Sequence, residues 1–249
     1  MVRYTNTTGG YNNFFGWRAG HYNTTGGGNN FIGSLGGYHN TTGSSNNFMG
    51  VGAGYYNTIG QNNNFIGSYA GYRNTTGSWN NFFGSSAGYY NTTGWGNSFF
   101  GLRAGYYNTT GFNNIFMGPS GGYRNSTGAN NTFLGASAGR CNTTGSYNNF
   151  FGQNVGYYNT IGGDNSLVGR NAGYCLTTGC RNSSMGLSSG YNLTSGSDNI
   201  IFGTNAGFCT STGDSNNIIG TSAGYYNTSG CFNTYIGSLA GNCATTGSN

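Results

Sequence analysis

The side chains able to do acid–base, nucleophilic or metal chemistry are few in this chain, and their spacing suits none of it. There is no glutamate and no lysine; the acids are Asp164, Asp198 and Asp214, the histidines His21 and His39, and the bases eight arginines. General acid–base catalysis needs positioned pairs of titratable groups, and no serine recurs beside a base that could activate it. Cys141, Cys175, Cys209 and Cys243 recur at one regular interval, and Cys180 and Cys231 at another, but neither set has the spacing of a metal site. The Gly-Gly-x-Gly-x-Asp calcium signature of other solenoids is absent. The expectation is a protein that is not an enzyme, with no catalytic residue, no cofactor and no metal.

What is regular in the chain is its period. A glycine recurs every 17 residues from Gly16 through Gly33 and Gly50 to Gly237, and an asparagine keeps step from Asn12 through Asn29, Asn46, Asn63 and Asn80 to Asn233. Two further glycine series run with them, one from Gly20 to Gly241 and one from Gly9 to Gly247. A strict period without insertion means stacked identical units. The chain therefore reads as one continuous array over 1–249, with a partial repeat at 1–11 and fourteen 17-residue repeats at 12–249.

Numbering the unit from Asn12 gives 17 phases. Phase 1 is always Asn, phases 3 and 4 are apolar, phase 5 is Gly, phase 8 is small, phase 9 is Gly, phases 10 and 11 are often Tyr-Tyr, and phases 12–15 read Asn-Thr-Thr-Gly. A helix is implausible at this glycine density. Two strand-like runs per unit, Asn-x-Phe-apolar and Tyr-Tyr-Asn-Thr-Thr, separated by glycine corners, predict an all-β fold: a β-solenoid with one coil per repeat and about 14 rungs. Identical phases then stack at about 4.8 Å. Asn12, Asn29, Asn46, Asn63 and Asn80 form an amide ladder, while Gly16, Gly33 and Gly50 supply corners.

Phases 3 and 4 pose a problem. Neighbours in a strand face opposite sides, yet phase 4 is apolar in every copy and phase 3 in all but Ser184. Either a bulge turns both inward, or one forms an apolar stripe that another chain covers. The second alternative predicts lateral or axial self-association.

The chain carries 4% charged residues and a net charge of +5, so charge does little to solvate it. The Asn-x-Ser/Thr sequon recurs at phase 12, at Asn6, Asn23, Asn40, Asn74, Asn91, Asn108, Asn125, Asn142 and Asn227. If phase 12 faces outward these are N-glycosylation sites; if inward, they are a second amide ladder. The arginines fall at several phases and make no basic stripe, which argues against nucleic acid. Cysteines two rungs apart are about 9.6 Å from one another, too far for a disulfide. They read as small apolar fillers in tyrosine positions. No apolar run is long enough for a membrane-spanning helix.

The run Asn63 to Tyr72 followed by Asn74 to Gly77 resembles the repeats of bacterial surface and phage-type fibre proteins. It is also similar to the head repeats of trimeric autotransporter adhesins, whose Asn-initiated strand corresponds to Asn12–Gly16 and its copies. The resemblance implies an extracellular or cell-surface structural subunit whose partners are copies of itself. An alternative is an adhesin or tail-fibre shaft that binds surface glycans through tyrosine ladders, and a second is an ice-binding solenoid displaying the phase-13 hydroxyls.

Overall fold

The computed structural model describes residues 6–247. The fold is an all-β solenoid with a 17-residue coil, and no helix occurs among the described residues. The chain divides into two compact units, Met1–Thr127 and Gly128–Asn249. In the first, strands β1 (Asn13–Phe15), β2 (Asn30–Ile32), β3 (Asn47–Met49), β4 (Asn64–Ile66), β5 (Asn81–Phe83), β6 (Ser98–Phe100) and β7 (Ile115–Met117) pair in chain order, parallel and in register. The second has the same build in β8 (Thr132–Leu134), β9 (Asn149–Phe151), β10 (Ser166–Val168), β11 (Ser183–Met185), β12 (Ile200–Phe202), β13 (Asn217–Ile219) and β14 (Thr234–Ile236). Each residue pairs with the one 17 positions on, as Phe31 does with Phe48.

The strand covers phases 2–4 only. Its middle residue points inward and the flanking two outward, so Phe48 is fully buried while Asn47 and Met49 reach solvent. Among the described strands no bulge occurs: simple alternation settles the two apolar phases, phase 3 as core and phase 4 as surface. The core is a column of parallel phenylalanine rings, with Phe31, Phe48, Phe65, Phe82, Phe99 and Phe116 at 4.8 Å centroid spacing and within 7° of parallel. Phase 8 alanines pack beside them at zero exposure.

The run Tyr-Tyr-Asn-Thr-Thr is not a strand, contrary to its composition. The Asn23 N–H donates to the Gly20 carbonyl at 3.0 Å and closes a turn over phases 9–12; the Ala19 N–H to the Gly16 carbonyl closes another over phases 5–8. The backbone still stacks rung on rung, through Thr24 N–H to Thr41 O at 2.9 Å and Tyr22 N–H to Tyr38 O at 3.0 Å.

The glycines have separate causes. At phase 9, Gly54 has φ +58°, and a Cβ there would overlap the Phe48 ring. At phase 15 the constraint is crowding, since a Cβ on Gly26 would collide with the Gly43 carbonyl of the next rung. Phases 7 and 17, which vary freely in sequence, are also left-handed. Arg18, Leu35 and Tyr69 at phase 7, and Tyr11, Ser45 and Trp79 at phase 17, lie between φ +53° and +61°.

Candidate functional site

The phase-1 asparagines form the expected ladder, and its wiring explains why no other residue appears there. The Asn46 N–H donates to Asn29 Oδ1 at 3.0 Å, and Asn46 Nδ2 donates to the Gly60 carbonyl at 2.8 Å. The position needs an acceptor toward one rung and a donor within its own, which an amide supplies and a carboxylate does not. Asn12, Asn29, Asn63 and Asn80 are bonded in the same way. Gly16, Gly33 and Gly50 sit directly after the strand at φ between +131° and +141°.

Phase 12 faces inward, so the condition for a glycan column is not met. Asn23, Asn40, Asn74, Asn91, Asn108, Asn125, Asn142 and Asn227 have zero exposure, and only Asn6 is exposed. Asn40 Nδ2, the atom a glycan would occupy, donates to Asn23 Oδ1 at 2.7 Å and to the Gly43 carbonyl at 2.9 Å. That carbonyl also accepts Asn29 Nδ2 at 2.8 Å, so phase 15 joins the two ladders. A sugar on any of these nitrogens would require the coil to open.

A third ladder was not read from the sequence. Outward at phase 2, Asn13, Asn30, Asn47, Asn64 and Asn81 link amide to amide at 2.7–2.8 Å. The recurrent Asn-Asn doublet was its signal. Beside it runs the apolar file of phase 4: Phe15, Ile32, Met49, Ile66, Phe83, Phe100 and Met117 in the first unit, half-buried to exposed, with Phe83 and Phe100 stacked at 4.8 Å. In the second unit the file is Leu134, Phe151, Val168, Met185, Phe202, Ile219 and Ile236. No charged residue occurs at phase 2 or phase 4 in either unit.

The tyrosine phases make two columns. Phase 10 is buried to half-buried, with Tyr38, Tyr55, Tyr72, Tyr89 and Tyr106 stacked at 5.0–5.1 Å. Burial pushes the Tyr72 hydroxyl up to about 12 and raises Tyr55, Tyr89 and Tyr106 as well. Phase 11 lies further out: Tyr22, His39 and Tyr56 stack at 5.3 and 5.1 Å, and the Arg73 guanidinium lies 4.9 Å over Tyr90. Burial, with the nearby His21, lowers the pKa of His39.

Between phase 11 and phase 13 of the first unit lies a groove of about 700 Å³ with mostly apolar walls. Tyr22, His39, Tyr56 and Arg73 line one side, and Thr24, Thr41, Thr58, Thr75 and Thr92 the other. Each of the first four threonines donates its hydroxyl to the next rung's carbonyl at 3.0 Å, which leaves oxygen lone pairs as acceptors. Phase 14 does not turn to the opposite side as in a strand. Because the backbone bends here, Thr24 is half-buried, Thr25 is exposed, and both reach the surface.

The remaining reactive groups serve the stack. Asp198 pairs with Arg181 at 2.7 Å, and this bond holds its carboxyl below the usual range. Asp214 Oδ1 accepts the Ser197 N–H at 2.7 Å. Cys180 and Cys231 are not fillers for tyrosine. At phase 16 the Cys180 sulfur accepts the Gly163 N–H at 3.4 Å, as the Ser44 hydroxyl accepts Gly27 N–H at 3.1 Å. Among the described residues no disulfide links the cysteines, and no cluster has the makings of a metal site. No helix among them is long and apolar enough to cross a membrane.

Searches against protein-family models, curated proteins and solved structures return no match to this chain.

Proposed function

We propose that this chain is a structural subunit of an extracellular fibre, assembled by lateral contact between copies through the outward strand face. The observation that carries this reading is the phase-4 file: one apolar side chain per rung, unbroken within each unit, on a face without a single charge. Exposed apolar surface of this extent and regularity marks an interaction site. A second copy is the partner whose surface has the same axial period, so every rung of one chain meets a rung of the other in the same register. The outward amide ladder beside it offers polar groups at the same spacing. The resemblance of the repeat to surface-fibre proteins supports the extracellular setting.

Sedimentation velocity and negative-stain microscopy of the purified chain test the assembly. The expected result is concentration-dependent lateral association, abolished by Ile66→Glu with Phe83→Glu. Both side chains point outward, so the coil is retained, and circular dichroism checks that it is. A wild-type chain that stays monomeric at micromolar concentration, or a double variant that assembles as well as wild type, overturns the reading.

A second reading, ice binding, gains one observation: phases 13 and 14 both reach the surface and so give two parallel threonine files. The phase-13 protons are spent on carbonyls, and Ile59 interrupts phase 14. Thermal hysteresis of the purified chain decides it.

A further inference from the structure

The groove of the first unit is separate from the strand face, and its chemistry points to a ligand of its own. We propose that it binds a linear, carboxylate-bearing polysaccharide laid along the solenoid axis, with Arg73 as the anchor for a uronate group. This stands apart from the fibre reading and is tested independently of it.

Shape comes first. The groove runs from Thr24 to Thr92, four rung steps or roughly 19 Å. About 700 Å³ spread over that length gives a mean cross-section of about 37 Å². A trough this long and narrow suits a single extended chain laid along the axis.

The lining then separates the possible chains. The groove's phase-11 rings stack on one another within 4° to 11° of parallel, so the faces between Tyr22, His39 and Tyr56 are covered and this part of the column shows mainly edges and hydroxyls. A nucleic acid strand binds by stacking successive bases on open ring faces, and a column stacked on itself offers no repeating row of them. A peptide strand binds by adding to unpaired backbone groups, but Tyr22 N–H and Thr24 N–H already donate to the neighbouring rung. What remains is a row of side-chain hydroxyls against apolar walls, one set per rung. That is an array suited to a polymer with hydroxyl groups on every residue.

Charge selects the acidic class. Among residues 6–127 the only formal charges are Arg18, Arg73, Arg103 and Arg124, all at phases 7 and 11, and every aspartate lies in the second unit. Arg73 therefore has no carboxylate partner in its own unit. Its guanidinium carbon lies 4.9 Å from the Tyr90 ring centroid, and a guanidinium held over a ring keeps its N–H fork for a bidentate carboxylate.

The test is calorimetric titration of the whole chain with an oligogalacturonate, a neutral cello-oligosaccharide of equal length and an oligothymidylate of equal charge. The expected order places the uronate at least about tenfold tighter than the other two. Arg73→Tyr installs the residue most common at phase 11, so folding is preserved. It should weaken uronate binding about tenfold or more, and Thr58→Tyr, which fills the groove without changing charge, should weaken it comparably. Arg124→Tyr, in the same column but outside the groove, should leave it unchanged. The proposal is overturned if the uronate shows no saturable binding, if the neutral sugar or the oligonucleotide binds as tightly, or if the two arginine variants behave alike.

Discussion

Ser184 and Ser189 are paired inside the coil: Ser184 Oγ donates to Ser189 Oγ at 2.6 Å, and Ser189 Oγ donates to the Gly186 carbonyl at 3.1 Å. They occupy phases 3 and 8, which in every other complete rung are apolar or glycine. The one rung that loses its core apolar residue thus gains a second hydroxyl five residues on. Removing the donor end, Ser184→Ala, leaves Ser189 bonded to Gly186 and should cost about 1 kcal/mol. Removing the middle, Ser189→Ala, strands a buried hydroxyl and should cost about 1–3 kcal/mol. The double variant should cost clearly less than the sum, as read from urea unfolding of the four proteins; strict additivity would refute the coupling.

The same region contains a second repacking. Where phase 3 shrinks to Leu167 and Ser184, phase 12 changes from asparagine to Leu176 and Leu193, and these leucines take up the lost volume at zero exposure. The inward amide ladder stops there, and Asn159 Oδ1 is left without a donor. One rung later Thr210 is fully buried with its hydroxyl unpartnered. Thr210→Val keeps the shape and deletes the stranded group, so it should stabilise the chain by about 1 kcal/mol or more. Thermal unfolding measures this, and a lowered midpoint would count against the assignment.

The period, the in-register stacking and the phase-1 ladder were legible because each is fixed by an invariant residue type at an invariant position; which of phases 3 and 4 fills the core was not, because both are apolar and only the alternation of the three-residue strand separates them. Phase 12 was not, since an asparagine followed by Thr-Thr satisfies both an inward ladder and an outward sequon; only the turn closed by Asn23 N–H on Gly20 O points it inward. The same turn overrides the strand propensity of Tyr-Tyr-Asn-Thr-Thr. The left-handed positions were hidden for the opposite reason, that Arg, Leu, Tyr and Trp fill them as freely as Ser and Gly. The groove was unreadable because it depends on how far phase 11 and phase 13 diverge after the bend.

Those left-handed positions give a third prediction. Trp79 has φ +57° and is 62% exposed, while Asn62 and Asn113 hold the same phase at +57° and +54°. A bulky residue in this region costs roughly 1–2 kcal/mol, and asparagine tolerates it better. Trp79→Asn should therefore raise stability by roughly 0.5–1 kcal/mol, and Trp79→Val should lower it, in chemical denaturation under identical conditions.

The phase-1 and phase-2 ladders lie side by side in sequence but differ in environment. Asn63 is fully buried, with Nδ2 on the Gly77 carbonyl at 2.9 Å and Oδ1 accepting Asn80 N–H at 3.0 Å. Asn63→Asp replaces the donor by an oxygen facing a carbonyl, and at neutral pH should cost about 3–5 kcal/mol. Asn64→Asp, one residue on in the outward ladder, should cost less than about 1 kcal/mol. The Asn63→Asp loss should shrink on acidification, as the protonated carboxyl regains a donor. Equal losses at the two sites would remove the distinction between the ladders.

The phase-10 column makes the coil sensitive to alkali. Burial, with the neighbouring tyrosines, pushes Tyr72 up to about 12, and Tyr55, Tyr89, Tyr106 and Tyr174 are raised in the same direction. An unfolded tyrosine titrates at about 10, so below that pH both states hold the proton and no stability is lost. Between about 10 and about 12 the unfolded chain gives up protons that the folded column keeps, and stability falls as pH rises. Tyrosinate absorbance of the folded chain should therefore lag behind that of the chain in denaturant. Tyr72→Phe, matching the Phe208 already present at this phase, should flatten the decline in stability over that window. An unchanged slope in the variant would show that Tyr72 does not contribute to the decline.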